Sequence, residues 1–338
     1  MNEFYDSLQG EDRASAQDVA LTYGRTVNRH YRRLLSAKDA STYPYYVGLS
    51  SDLGSFTHVT KRITLVADTM LLSDHGVGTV HQLGFHEYSL YDGMENTMSR
   101  FGMVTADLAE LGRWLLDAEP LLRKGLVWYG PVFLEGEQRA PIGRDWERQV
   151  PALPSFRDQS IDFLVEHGRA VDLSGTKPLA SRVVRPILEI DLPFIDGLIL
   201  SDFAQVTSEE FDSYRQYRDF MRYRLLELDD ALEAVDSQVA LERVALSIRD
   251  ELNTATDEMR RAARSRALNR SGAVLSTTSA VLAAVRPEAL HGALATGATL
   301  AAGATGLWPT IQAFAETKLK RTQDKWHYVW VLQKKGAR

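Results

Sequence analysis

SGAVLSTTSAVLAAVRPEALHGALATGATLAAGATGLW, residues 271–308, carries only Arg286 and Glu288 as charges, in a chain that is a quarter charged. Ser271–Val285 is uncharged over 15 residues and Ala289–Ala315 over 27 more, with His291 counted as neutral. Pro287 between the two runs breaks a helix and suits a tight antiparallel turn. Gly292, Gly297, Gly303 and Gly306 leave little side chain, so two backbones can approach closely. A helix that is small or apolar on every face belongs inside a bundle. The stretch therefore predicts a buried apolar helical hairpin over about 271–315.

A second setting for the hairpin is a membrane. Arg260, Arg261, Arg264, Arg266 and Arg270 precede it and Lys318, Lys320, Arg321 and Lys325 follow it. A hairpin would put both basic flanks on one side, as orientation rules require. Fifteen residues fall short of a full span, and the five aliphatics of the first run contribute on the order of 2 kcal/mol to insertion. A third setting joins the two: the hairpin is shielded until a trigger exposes it for insertion or self-assembly. In architecture alone, with no shared motif, that layout resembles helical pore-forming proteins. Gly292, Gly297, Leu300, Gly303, Trp308, Trp326 and Trp330 are then the candidate membrane or assembly contacts.

Upstream, no Gly or Pro occurs from Leu198 through Ser271. Such a run predicts long helices. Leu225, Leu228, Leu232, Val235 and Val239 form one seam, and a second restarts at Leu241, giving two amphipathic helices, about Ser208–Ala234 and Ser237–Asn269, with coiled-coil-like spacing. The first 196 residues are punctuated by Pro and Gly and read as mixed. The expectation is an α+β fold: a mixed domain with a small sheet over 1–196, and a helical bundle over 197–338. The alternation of Trp326, Tyr328, Trp330 and Leu332 predicts a C-terminal strand over about 325–333.

Within the first region, Ser15–Ser36 reads as a helix with Val19, Tyr23, Val27, Tyr31 and Leu34 on one face. Gly78–Tyr91 reads as extended. Thr105–Gly125 reads as a helix capped near Thr105 or Asp107. Ser155–Gly168 reads as a helix with Ser155 as N-cap and Gly168 just past its end. VVRPILEIDLPF, residues 183–194, reads as extended, and RITLVADTMLLS, residues 62–73, fits a strand or a short helix equally.

Chemistry-bearing patterns are sparse. The chain has no cysteine, which excludes disulfides, thiolate metal sites and a cysteine nucleophile. His75, His81, His86 and Glu87 fall close to Asp68 and Asp74, but not at a metal-ligand spacing. Gly76-x-Gly78 lacks the third glycine of a dinucleotide loop, His81 standing there instead. Arg25, Arg29, Arg32 and Arg33 share the polar face of the first helix and form a candidate anion-binding stripe. Glu189 and Asp191 pair on a strand face without a histidine or lysine beside them. Net charge is −6, and residues 257–338 hold 13 Lys/Arg against 5 Asp/Glu, so residues 1–256 carry −14. An acidic body argues against non-specific nucleic-acid binding, and the basic tail suits an anionic membrane or the body itself.

The function expected from these features is that of a non-enzymatic interaction or effector protein. Its helical region would mediate self-association or conditional membrane contact, with itself, another helical protein or an anionic membrane as partner. No cofactor is expected. The polar N-terminus lacks a signal-peptide pattern, so the expected location is cytoplasmic, with peripheral contact at the inner face of the membrane. The alternative is an enzyme of unknown reaction, with a metal- or phosphate-binding site around His75–Glu87 or the Arg25–Arg33 stripe.

Overall fold

The computed structural model describes residues 1–8, 10–37, 43–75, 77–90, 95–141, 155–156, 161–190, 192–236 and 325–336, together with 239–241, 243–244 and 246–247. The chain divides into two compact units. The first comprises 1–60 and 68–177, the second 61–67 and 178–338. The architecture is mixed, with helices and two small sheets, as an α+β reading requires.

The first unit opens with helices α1 (Asn2–Ser7), α2 (Gly10–Ala14) and α3 (Ala16–Ala37). Its first sheet is built on a β-α-β step: β1 (Tyr46–Ser51), a 3-10 turn at Leu53–Ser55, α4 (Phe56–Thr64) and β2 (Thr69–Asp74). Then come β3 (Thr79–Leu90), β4 (Glu95–Thr105), α5 (Leu108–Asp117), α6 (Glu119–Arg123), β5 (Val127–Tyr129), β6 (Val132–Pro141), β7 (Ser155–Phe156), β8 (Phe163–Glu166) and β9 (Arg169–Asp172). The first sheet has the order β5-β2-β1-β8-β9. Its first four strands run parallel, and β9 returns antiparallel to β8. The second sheet, β3-β4-β6-β7, is antiparallel throughout.

One face of the first sheet is fully apolar up to its carboxyl edge. Val47, Leu49, Met70, Leu72 and Phe163 are buried, since in-register residues of parallel strands share a face. Aromatic rings pack over it: Tyr23 meets Phe4 edge-on at 5.1 Å, and Phe56 meets Trp114 at 5.3 Å and Tyr129 at 5.9 Å. Burying each such ring contributes about 1.5–3 kcal/mol. The polar ends of the rings are satisfied: Trp114 Nε1 donates to Thr60 Oγ1 at 3.1 Å and Tyr23 donates to the Tyr129 carbonyl at 2.8 Å. Glu119 clamps the N-terminal helices, accepting from Arg13 at 2.9 and 3.1 Å and from Arg123 at 2.8 Å. Burial alone would push its carboxyl up, but the two guanidinium groups outweigh that and hold it below the usual range.

The helix expected over Ser15–Ser36 is α3, with Val19, Tyr23 and Val27 buried as the period requires. The extended reading of Gly78–Tyr91 is β3, and Asp107 caps α5 by accepting from Ala109 and Glu110. Residues 62–73 divide between the end of α4 and β2, so both readings of that segment hold in part.

Three expectations are corrected. Residues 155–168 contain no helix among those described. They hold β7 and β8, with Phe163 and Val165 buried against β1 on alternate positions. Gly168 does adopt a positive φ of 76°, but beside His167 at 50° in the two-residue turn of the β8–β9 hairpin, a geometry that suits the twist of the strands. Residues 183–189 are helical rather than extended, within α7 (Pro178–Glu189), despite Pro186. Val183, Val184, Ile187 and Leu188 are all buried there at helical spacing, and that packing outweighs the missing backbone donor. The C-terminal segment is also a helix, α11 (Lys325–Gly336), not a strand. Tyr328, Val329 and Leu332 are buried, which is a helical stripe and not an alternation.

Besides α7 and α11, the second unit contains α8 (Pro193–Asp196), α9 (Leu200–Glu209) and α10 (Phe211–Glu233). Tyr328 of α11 bonds Thr207 Oγ1 at 2.8 Å and meets Tyr214 edge-on at 5.6 Å. Lys61 and Arg62 donate around the end of α8. Lys61 Nζ donates to the carbonyls of Ile195 at 2.7 Å and Leu198 at 2.9 Å, and burial pulls its ammonium below the ordinary value. Arg62 forks onto both oxygens of Asp196 at 2.9 and 3.0 Å. The seam expected to run through Leu225 and Leu228 holds at those two residues, which are buried, and stops where α10 ends: Val235 is fully exposed. Residues 239–241, 243–244 and 246–247 are helical, and the remainder of the expected second long helix and the hairpin over 271–315 lie outside the described residues. A long-helix bundle is therefore not part of the described fold.

Candidate functional site at the carboxyl edge of the parallel sheet

From β1 the chain crosses through α4 to β2 on one side, continues outward to β5, and later returns to β8 on the other side of β1. The connections thus leave β1 in opposite directions. In open parallel sheets that switch point opens a crevice beyond the carboxyl ends of the strands, where ligands bind.

The residues brought to this edge are small and polar. Register places Ser50 beside Ser73 and Ser51 beside Asp74, with Leu164 and Val165 on the other flank. Alternation sends the two serines to opposite faces. On one face the Ser50 hydroxyl meets His75 Nδ1 at 3.0 Å, and Ser73 donates to the Gly130 carbonyl at 2.8 Å. On the other face Asp74 is buried and accepts from the Tyr129 phenol at 3.2 Å. Burial, and then the Asp74 charge beside it, push that phenol well above its ordinary value, so it keeps its proton and donates. Beyond β1, Asp52 caps the following turn by accepting from the Ser55 amide at 2.9 Å. A carboxylate thus already occupies the positive helix start where a free anion would otherwise bind.

A serine hydroxyl 3.0 Å from an imidazole nitrogen has the spacing of an activated nucleophile. Here the contact is through Nδ1, and among the described residues no carboxylate orients the ring through Nε2. The pair is therefore suited to hold a ligand hydroxyl or phosphoryl oxygen rather than to act as a complete triad.

The residues singled out in the sequence fall in different places. Arg25 is on α3, with its Nε donating to the Leu83 carbonyl at 3.3 Å, which ties α3 to β3. Arg29, Arg32 and Arg33 lie on α3 as well, with side chains outside the described ones. Asp68 and Asp74 stand at opposite ends of β2. His75 is at the carboxyl edge, and His81 bonds Thr79 at 3.0 Å at the start of β3. Among the described residues, no three His, Asp or Glu stand close enough to hold a metal ion by themselves. Glu189 ends α7 and Asp196 pairs with Arg62, while Asp191 lies outside the described residues. Gly292, Gly297, Leu300, Gly303 and Trp308 also lie outside them, and Trp326 and Trp330 are in α11. No helix among the described residues is long and apolar enough to cross a membrane.

Sequence reasoning missed Ser50, Ser51 and Tyr129. For the two serines the signal was the run GLSSDLGS, residues 48–55: a buried strand ending in small hydroxyls and an aspartate, directly before an amphipathic helix. Comparison of the chain with protein-family models, with curated proteins and with solved structures finds no match. The ligand-binding part of the functional reading therefore rests on this edge.

Proposed function

We propose that the chain is a non-enzymatic effector protein in which the α/β unit binds a small hydroxyl- or phosphate-bearing ligand, and the helical region mediates self-association or conditional membrane contact. The observation that carries the first half is the switch point at β1, with the Ser50–His75 pair beside it. Such a crevice recurs as a ligand site because the ends of neighbouring parallel strands present polar groups together.

The binding half is tested by thermal unfolding of the full chain against nucleosides, nucleotides and sugar phosphates. A ligand present at 100 times its Kd adds about 2.7 kcal/mol, which raises Tm by several degrees in a protein of this size. One of these classes is expected to do so, and Ser50→Val and His75→Phe are expected to remove the shift. If every class leaves Tm unchanged, or if both variants respond like the parent, the binding half is wrong. The effector half rests on residues 271–315 and is read separately. Intact protein is expected to release dye from liposomes rich in anionic lipid, and Leu300→Asp to abolish release; absence of release by the parent chain at any ligand or pH condition counts against it.

A further inference from the structure

The C-terminal helix sets a basic segment on an acidic surface. From Lys325 to Arg338 the chain carries Lys325, Lys334, Lys335 and Arg338 and no acidic residue. α11 packs on α8, α9 and α10. Residues 196–214, which run through α9 into α10, carry Asp196, Asp202, Glu209, Glu210 and Asp212 and no lysine or arginine. The two charges meet directly: His327 Nε2 lies 3.3 Å from Glu210 Oε2, and Lys335 Nζ lies 3.3 Å from Asp202 Oδ1. Between these contacts Tyr328 is fully buried, its ring 5.6 Å from that of Tyr214 and 5.8 Å from that of Tyr217. The Thr207 hydroxyl donates to the Phe203 carbonyl at 2.7 Å, so in the 2.8 Å bond between Thr207 and Tyr328 the phenol is the donor.

A helix of 12 residues is marginal by itself in water. α11 therefore keeps its form through the surface it rests on, and its docking and folding are one equilibrium. The ionic part of that docking is open to solvent at the end of the helix, where the Lys335 and Asp202 side chains are 34% and 33% exposed. Contacts of that kind are weak and give way to a competing charge. The composition of α11 defines the competitor. Trp326, Tyr328 and Trp330 stand among Lys325, Lys334 and Lys335. Aromatic rings flanked by lysines suit the interface of an anionic bilayer, where the rings sit at headgroup level and the ammonium groups meet a negative surface potential.

We propose that α11 is a membrane-binding element restrained by its own chain. In the docked form Glu210 and Asp202 hold its basic side chains and Tyr328 is buried. On an anionic bilayer the phospholipid headgroups replace those carboxylates and the aromatic rings enter the interface. The inference rests on the reading of the helical region as a conditional membrane contact; it names the element that makes the contact and the surface that restrains it. The condition is a competition between two anionic partners for one basic helix. A change that weakens docking without altering α11 therefore strengthens membrane binding in proportion to the fraction of helix released.

Binding is read by co-sedimentation of the full chain with vesicles of phosphatidylcholine and phosphatidylserine in equal parts, with vesicles of phosphatidylcholine alone as the net-neutral control. The parent is expected to sediment with the charged vesicles and not with the control. Thr207→Val takes the acceptor from the buried Tyr328 phenol and leaves α11 untouched, so it is expected to raise binding about fivefold or more. The chain has no cysteine, so a single disulfide can lock the helix in place. A side-chain carbon on Gly336 would lie 3.6 Å from Leu198 Cγ, close to where a cysteine sulfur at that position would stand. Leu198→Cys combined with Gly336→Cys is expected to bind at least about tenfold less when oxidised than after reduction. Equal binding by the oxidised and reduced forms, no gain in Thr207→Val, or equal binding to the control vesicles overturns the proposal. If dye release that Leu300→Asp abolishes persists in any of those cases, the effector reading stands without α11. Absence of both binding and release in every form ends the two together.

Discussion

Gly112→Ala is expected to destabilise the first unit by about 3 kcal/mol, at the upper end of what overpacking a core costs. Alanine is normally the better helix residue by about 1 kcal/mol, so propensity alone gives the opposite sign. The reason lies in the crossing of α5 over the start of α3. A side-chain carbon on Gly112 would sit 1.7 Å from the Ala16 carbonyl oxygen and 2.5 Å from its carbon. Those are backbone atoms of another helix and cannot rotate away. Either the two helices part, uncovering Trp114 and Leu115 beside them, or α5 unwinds. Gly10→Ala in α2 is the matched control, because nothing lies within 4 Å of the added carbon. Urea unfolding followed by circular dichroism is expected to show a large fall in midpoint for Gly112→Ala, and no fall for Gly10→Ala. Equal midpoints for Gly112→Ala and the parent would mean the helices do not approach this closely.

The second large effect concerns a buried ion pair. Asp162 lies just before β8 and Lys177 just before α7, and both side chains are 6% exposed. Their charged atoms are 3.3 Å apart. Asp162 also accepts from the Gly48 amide at 2.8 Å and from Ser174 at 3.3 Å, and Lys177 donates to the Tyr46 carbonyl while lying over the Tyr46 ring. The pair therefore fastens the start of β1 to the segments on both sides of the β8–β9 hairpin. Replacing such a pair with apolar groups can be neutral, but removing one partner leaves the other charge buried, and that costs about 3–5 kcal/mol. Lys177→Met is expected to lose that amount in urea unfolding, and Lys177→Met with Asp162→Asn to recover a substantial part of it. If the double variant is no more stable than the single one, the stranded charge is not the source of the loss.

These two sites show where reading the chain in one dimension reaches its limit. Gly112 sits in a segment correctly read as a helix, yet its importance comes from Ala16, nearly a hundred residues earlier. Asp162 falls where a helix was expected and proves to anchor a strand. The candidate site is similar. His75 was noticed, but as one of a scatter of histidines, because its partner Ser50 lies on a different segment that only the parallel register of β1 and β2 brings beside it.

The sequence by itself determined the elements whose hydrophobic period is long and unambiguous. α3 buries Val19, Tyr23 and Val27 on its one apolar face, α5 starts where Asp107 can cap it, and β3 runs through a segment too extended to be helical. Over such lengths only one periodicity fits, and local propensity agrees with it. Tertiary structure alone decided the short apolar segments, 163–166, 183–189 and 325–336. Each is compatible with both periods, and the surface each one meets selects between them: an open strand edge at β1 in the first case, helical neighbours in the other two. It also decided the site, because the order of strands in a sheet is set by which apolar faces can be covered together and leaves no local mark in the chain.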